Sequence, residues 1–340
     1  MQFDLLLAPW QAVLTQRLAD QWQASPGEPT LAPAAGQQLL DTMSELHMQT
    51  GGKRLRGLLP AALVAAGDGP VDAALSLGAA IEWVHNGTLV HDDVQDRDEL
   101  RRGTPTLWAR FGVAQAINAG DALLVTPLAA LLRDPAVPNE HRVALTLLVA
   151  DALLATIAGQ TADLLLHGHG LPSLEHVGAV HVGKTAPLFE ACLAGAAILL
   201  ELPPATQATI QPMAKALGLA FQIRDDLLDA LGLKGRGQAG ADVREGKPTW
   251  PMLLAADSWT GEQRDRLGER LHQAAQGEPL DDAEVGQIIN DIKAHGGIDA
   301  ASGDLHTQLQ AVREVAQDVW PPQCALVLVA LCDRLAKLDG

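Results

Sequence analysis

Six aspartates carry the most specific chemistry in this sequence. His91-Asp92-Asp93-Val94-Gln95-Asp96 and Asp225-Asp226-Leu227-Leu228-Asp229 repeat one spacing, more than a hundred residues apart. On a helix, Asp92 and Asp96 share a face, and Asp93 flanks them by about 100°. Three carboxylates at one helix end repel one another, and an arbitrary acidic cluster is usually a solvated face. Here residues 81–90 and 217–223, which precede the two clusters, are largely apolar. The acids therefore end helices that read as buried, and buried carboxylates need cations. Oxygen-only ligands suit Mg²⁺, which keeps waters and bridges to phosphates. Facing one another across a cavity, the clusters would hold several Mg²⁺ ions on one diphosphate.

The basic residues fit the same chemistry. Gly51-Gly52-Lys53-Arg54-Leu55-Arg56-Gly57 opens a helix with glycines and three cations, an anion site built from backbone donors, helix dipole and side chains. Arg101-Arg102-Gly103 follows the first acids closely, and Lys184-Thr185 and Lys247-Pro248-Thr249 each pair an ammonium with a hydroxyl. Singly these are surface charges. Beside two acid clusters they describe two diphosphate sites, one held through metal and one directly by cations.

With these motifs the sequence resembles the trans-isoprenyl diphosphate synthase (polyprenyl synthetase) family, most closely its geranylgeranyl and longer-chain members. The resemblance covers residues 51–254 and includes Gly120-Asp121-Ala122-Leu123, Gly159-Gln160, Gly183-Lys184-Thr185, Phe221-Gln222-Ile223-Arg224-Asp225-Asp226 and Gly246-Lys247-Pro248-Thr249. It implies Asp92, Asp96 and Asp225 as metal ligands, supported by Asp93, Asp226 and Asp229. It implies Arg101, Lys184, Thr185, Gln222 and Lys247 around an allylic diphosphate, and Lys53, Arg56, His85 and Arg102 around isopentenyl diphosphate. His85 lies two helical turns before Asp92, on the same face. Where the family carries Gly-Lys-x-x-Gly-x-Asp, this chain has Arg236-Gly237-Gln238-Ala239-Gly240-Ala241-Asp242, so Gly237 replaces a lysine and Arg236 or Lys234 would supply the charge.

The implied reaction is ionisation followed by alkylation. Metal and cations draw charge from the allylic diphosphate, its C–O bond breaks, and the isopentenyl double bond attacks the cation. The proton then leaves, to the released diphosphate. Lys184-Thr185, before Pro187, would help to stabilise the cation. Catalytic weight would fall on Asp92, Asp93, Asp96, Asp225, Asp226, Lys184 and Thr185.

Short-chain members place an aromatic residue four or five positions before the first aspartate. Here those positions are Thr88 and Gly87, so that floor to the product channel is absent. Trp83, one further turn down and about 6 Å deeper, is the expected floor, giving geranylgeranyl or somewhat longer products.

The elements that must position these residues read as helices. The 340 residues are 48% hydrophobic but only 3% aromatic with no Tyr, rich in Ala and Leu and poor in strand formers. Gly/Pro breaks, including Ser25-Pro26-Gly27 and Leu202-Pro203-Pro204, divide helical patterns at 4–23, 34–48, 53–67, 71–98, 104–133, 139–168, 173–201, 206–232 and five more after 246. The glycine-rich 233–246 reads as a mobile lid. The expected fold is all-α, a single domain over 1–340, built as one large bundle of ten or more mostly antiparallel helices around a central cavity.

A net charge of −17 excludes an ordinary nucleic-acid binder. Cys192, Cys324 and Cys332 lack metal-ligand spacing and suit a reduced, cytoplasmic protein. No signal peptide is apparent, and the apolar stretches 143–150 and 191–200 read as too short or interrupted to span a bilayer. The resemblance implies a homodimer. Alternatives are a farnesyl diphosphate synthase, a class I terpene cyclase, which needs no second diphosphate site, and a non-catalytic partner subunit.

Overall fold

A computed structural model describes residues 2–23, 34–166, 170–234 and 239–338. The break at Ser25-Pro26-Gly27 and Arg236 lie outside them. Among the described residues every regular element is helical except one two-stranded hairpin, so the expected all-α class holds. The described residues group into two compact units, residues 1–153 with 191–208 and residues 154–190 with 209–340, each of which is described by itself.

The first unit holds α1 (Phe3–Leu7), α2 (Gln11–Gln23), α3 (Ala34–Met48), α4 (Leu55–Ala66) and α5 (Val71–Gln95), then the hairpin β1 (Leu100–Arg101) and β2 (Thr104–Pro105). The pattern expected over 104–133 is α6 (Leu107–Phe111) and α7 (Val113–Arg133), parted at Gly112, whose φ of +83° a helix cannot continue. The unit also takes the first part of α8 (Asn139–Leu166), the end of α9 (Leu174–Leu199) and α10 (Pro204–Gln207). Its centre is α5, which packs against α4 on one side and α7 on another, so it is apolar nearly all round. Gly78 makes this possible: a Cβ there would collide with the Gly57 carbonyl of α4. The two backbones thus touch, fixing the motif 51–57 against the helix that carries the first aspartates.

The second unit contains the rest of α8 and α9, then α11 (Ile210–Ala230), α12 (Ala241–Arg244), α13 (Trp250–Ala256), α14 (Gly261–Ala275), α15 (Asp282–Ala294), α16 (Gly297–Val319) and α17 (Pro322–Leu335). Its α11 packs on α16 and α13. A local core of Met252, Leu271, Leu280, Val285, Ile289 and Ile292 gathers α13, α14 and α15. Capping boxes at Thr260/Gln263 and Asp281/Glu284 start α14 and α15. Of the expected lid, α12 follows Gly240, and 235–238 lie outside the described residues.

Three helices, Val113–Arg133, Asn139–Leu166 and Leu174–Leu199, are long and apolar enough to cross a membrane by length and composition. They exceed what the stretches 143–150 and 191–200 suggested, because each helix continues through its small and polar residues. In α9 most of that apolar surface is buried, including Leu188, Phe189 and Leu193. By contrast α8 exposes Val143, Leu147, Leu154, Ile157 and Leu164, a stripe at helical spacing.

Candidate functional site

In the first unit, α5 presents its polar residues in stripes. His85, Asp92 and Asp96 fall on one face, and Glu82, Asn86 and Asp93 on another. The first stripe is reachable: Asp92 is half-buried and Asp96 exposed. The second is buried, and each of its members holds an arginine. Arg54, at the N-terminus of α4 with φ +48°, reaches Glu82 Oε1 at 2.9 Å and Asn86 Oδ1 at 3.4 Å. The other oxygen of Glu82 accepts the Gly57 N–H at 3.2 Å, in the first turn of α4. Asp93 Oδ1 accepts from Arg101 Nε at 2.8 Å and Nη2 at 2.7 Å. Burial pushes the Asp93 carboxyl above its usual range, and Arg101 opposes the shift.

Turn chemistry places the two arginines. Leu100 pairs with Pro105 and Arg101 with Thr104, leaving Arg102 and Gly103 as a two-residue turn, with φ +52° and +77°. Arg101 therefore points to Asp93, and Arg102 donates to the Gly51 carbonyl. The base of the hairpin is tied to the segment after α5, because Thr106 Oγ1 and Trp108 Nε1 both donate to the Asp98 carbonyl at 2.8 Å, and the Asp98 N–H donates to the Asp93 carbonyl at 3.0 Å. Arg56 is buried, Lys53 exposed. His85 is held well below its ordinary pKa by burial, then by Arg56, Arg101, Arg102 and Arg54, so it stands neutral among cations. Lys53, Arg56, His85, Arg101 and Arg102 thus lie around the same end of α4 and α5. His47 of α3 joins them: buried, with its pKa lowered to about 3 by burial and then by Arg101 and Arg54.

A further face of α5 meets α7. His91 Nε2 lies 3.3 Å from the Ile117 carbonyl and 3.5 Å from Asp121 Oδ1, with its ring against Gly120. The space expected at Gly87 is filled: a Cβ there would stand 2.7 Å from Leu124 Cδ2 and 3.1 Å from Leu123 Cβ. Trp83 is directed at α2. Its ring stacks on Trp22 with centroids 5.3 Å apart, and Nε1 donates to the Leu18 carbonyl at 3.3 Å. It borders a cavity of about 820 Å³ also lined by Leu18, Trp22, Ser44, Met48 and Arg54.

In the second unit, glycines let helices cross closely. A Cβ on Gly159 of α8 would overlap the Gly183 backbone of α9, and one on Gly218 of α11 would stand 2.7 Å from the Ala186 nitrogen. The first crossing brings Lys184 within 3.0 Å of Asp163 Oδ2, and the second lets Gln222 Nε2 donate to Thr185 Oγ1 at 2.6 Å. Pro187 lies inside α9 and removes the N–H that would serve the Gly183 carbonyl.

The second aspartates divide in the same way. Asp225 is about half exposed, its side chain at 47%. Asp226 is buried and accepts the Trp250 N–H at 2.7 Å, capping α13. Asp229 is buried and accepts the Asp242 N–H at 3.2 Å. Burial, then Asp242, raises its pKa to about 6. Lys247 pairs with Glu245 at 3.0 Å. Between Arg236 and Lys234, the described residue is Lys234, which reaches Asp225 and Asp242. His181, half-buried with its ring 6.0 Å from that of Trp250 and its pKa lowered to about 4 chiefly by desolvation, had no signal in the sequence beyond lying three residues before Lys184.

Among the described residues no three His, Cys, Asp or Glu side chains close a metal cage by themselves. The donor set nevertheless suits a hard ion: Asp92 and Asp96 offer two accessible carboxylates one turn apart, and Asp225 a third in its own unit. Mg²⁺ is held in this manner, by one or two carboxylates with waters and phosphate oxygens completing the shell.

The profile of the polyprenyl synthetase family matches residues 37–292. A geranylgeranyl diphosphate synthase of Mycobacterium tuberculosis is 34% identical over 84% of this chain and 81% of its own length. A farnesyl diphosphate synthase of Bacillus subtilis is 34% identical over 62% of this chain and 73% of its own. Among solved structures, a decaprenyl diphosphate synthase from Rhodobacter capsulatus shares the fold, with a TM-score of 0.82 at 23% identity over 98% of both chains. A polyprenyl synthase from Caulobacter crescentus CB15, complexed with calcium and isoprenyl diphosphate, superposes with a TM-score of 0.79 at 25% identity over 99% of this chain and 98% of that one.

Proposed function

The chain belongs to the polyprenyl synthetase family and is a prenyltransferase, and we propose that it condenses isopentenyl diphosphate with an allylic diphosphate, using Mg²⁺, to geranylgeranyl diphosphate or a somewhat longer product. The observation that carries this reading is the end of α5. There Arg101 lies near the accessible Asp92, with Asp96 one turn on, and shares the surroundings of His85 with Arg56 and Arg102, so carboxylates for metal and cations for diphosphate occupy one end of the helix.

Asp92, Asp96 and Asp225 are the proposed ligands; bound there, Mg²⁺ would neutralise charge on the departing diphosphate. Arg56, Lys53, Arg102 and neutral His85 hold isopentenyl diphosphate, His85 as a donor. In the second unit, Lys184, Thr185, Gln222 and Lys247 are the proposed holders of the allylic diphosphate. Asp93 orients Arg101, and Asp226 and Asp229 fix the backbone around Asp225. Lys184 and Thr185, just before the Pro187 inside α9, are the proposed groups that help to stabilise an allylic cation.

The small residues Gly87 and Thr88 support the longer product. One observation favours a second reading, farnesyl diphosphate: Leu124 fills the space at Gly87. A homodimer through the exposed apolar stripe of α8 is proposed as well, since a stripe of this kind marks an interface. Three buried, unbridged cysteines suit a cytoplasmic enzyme. Incubation with Mg²⁺, isopentenyl diphosphate and dimethylallyl, geranyl or farnesyl diphosphate, followed by sizing of products, tests the reading. Chains of about twenty carbons or more support it, a product that stops at farnesyl selects the second reading, and no elongation with any primer removes both.

A further inference from the structure

Lys234 lies in the glycine-rich stretch after the second aspartates, out of register with the family's lysine. Its Nζ stands 2.7 Å from Asp225 Oδ2 and 2.6 Å from Asp242 Oδ2, on a side chain only 12% exposed. Both partners are anchored. Asp225 belongs to the last turns of α11. Asp242 begins α12, with its N–H on Asp229 Oδ2 at 3.2 Å and its carbonyl accepting the Lys247 N–H at 2.9 Å. The ammonium therefore bridges two fixed carboxylates, and one of them is the half-exposed aspartate proposed above as a metal ligand. A carboxylate oxygen that accepts an N–H at this distance has less charge and fewer lone pairs to give a divalent ion.

We propose that Lys234 is a positioning residue that competes with metal for Asp225: it holds Asp225 and Asp242 together, and a divalent ion that takes Asp225 must displace it. The proposal rests on the reading of Asp225 as a ligand. Two other cations have different partners: Lys184 is tied to Asp163 and Arg101 to Asp93. The effect of Lys234 is to hold metal affinity at Asp225 below what the carboxylates alone would give.

The test is a titration of the full chain with Mn²⁺ in the absence of diphosphate, following free Mn²⁺ by electron paramagnetic resonance. Wild type, Lys234→Met, Lys234→Arg and Asp225→Asn are compared. The binding lost in Asp225→Asn defines the Asp225-dependent ion. Lys234→Met is expected to bind that ion about fivefold tighter, the scale of a released, partly exposed ion pair, and Lys234→Arg to stay near wild type. Thermal unfolding with and without Mn²⁺ gives a second readout, in which Mn²⁺ should raise the melting temperature of Lys234→Met more than that of wild type. Equal or weaker Mn²⁺ binding in Lys234→Met, with Asp225→Asn still losing the ion, overturns the competition alone. Unchanged binding in Asp225→Asn overturns the ligand assignment and the competition with it.

Discussion

Arg101 grips one oxygen of Asp93 with two nitrogens, Nε at 2.8 Å and Nη2 at 2.7 Å, while the second oxygen belongs to a side chain only 3% exposed. This pair joins the hairpin to the buried face of α5, next to the accessible Asp92. It makes Asp93 a holder of Arg101 in this arrangement, and Asp92 and Asp96 the acids left facing outward.

Arg101→Ala should therefore cost stability as well as activity. It leaves a buried carboxylate without its cation, and unfolding in urea without metal should show a loss of about 3 kcal/mol. The double variant Arg101→Met with Asp93→Asn should recover part of that loss, because no buried charge remains. An additive double variant would mean that the pair is not coupled.

Product length should answer to Leu124 more than to Trp83. Leu124 fills the space beside Gly87, whereas Trp83 is stacked on Trp22 and bonded to the Leu18 carbonyl. Leu124→Ala should lengthen the products by about one isoprene unit, roughly four helical residues of depth. Trp83→Ala should chiefly destabilise, by about 3 kcal/mol or more. A longer product from Trp83→Ala with none from Leu124→Ala would restore Trp83 as the floor.

The homodimer can be tested on α8. Leu147 and Leu154 are 57% and 66% exposed, two turns apart on one stripe. Leu147→Glu with Leu154→Glu should convert a dimer to a monomer in light scattering while leaving the helical circular dichroism in place. A monomeric wild type would remove the proposal.

Buried His47 sets a pH-dependent stability with a definite sign. Its folded pKa is about 3 against about 6.5 unfolded, so the unfolded chain takes up the proton as pH falls below 6.5. The contribution of neutral His47 is complete above pH 6.5 and is lost on acidification toward pH 3. The cost of His47→Gln should therefore shrink by about 2 kcal/mol between pH 7 and pH 5, at 1.36 kcal/mol per unit. Asp229, raised to about 6 by burial and then Asp242, has the opposite sign: its penalty grows as pH rises from about 4 to 6. Asp229→Asn should accordingly gain in relative stability over that range, and parallel pH profiles for both variants would contradict these assignments.

Much of the site was legible because helical spacing is local. Asp92 and Asp96 share a face wherever α5 goes, whereas the close crossing of Gly159 and Gly183 shows only in the fold. Most helix breaks followed from Gly and Pro, while the division of 104–133 at Gly112 shows in its φ of +83°. What stayed hidden depends on partners far along the chain. Glu82 and Asn86 sit in a run that reads as largely apolar, and their partner Arg54 is 28 and 32 residues away. Gly87 looked like a gap because Leu124, 37 residues later, is the side chain that fills it. Trp83 has the right depth along α5, but its direction is set by Trp22 of α2. The exposed stripe of α8 is invisible to a reading that counts only uninterrupted apolar runs.

The central claim is metal-assisted prenyl transfer through Asp92. Its most direct test is incorporation of labelled isopentenyl diphosphate onto farnesyl or geranyl diphosphate with Mg²⁺, in wild type and in Asp92→Asn. Wild type should elongate the primer and stop when the metal is chelated. Asp92→Asn should be slower by about a thousandfold, the several kcal/mol that a metal's charge stabilisation supplies. Elongation that survives chelation, or an Asp92→Asn rate equal to wild type, would contradict the account.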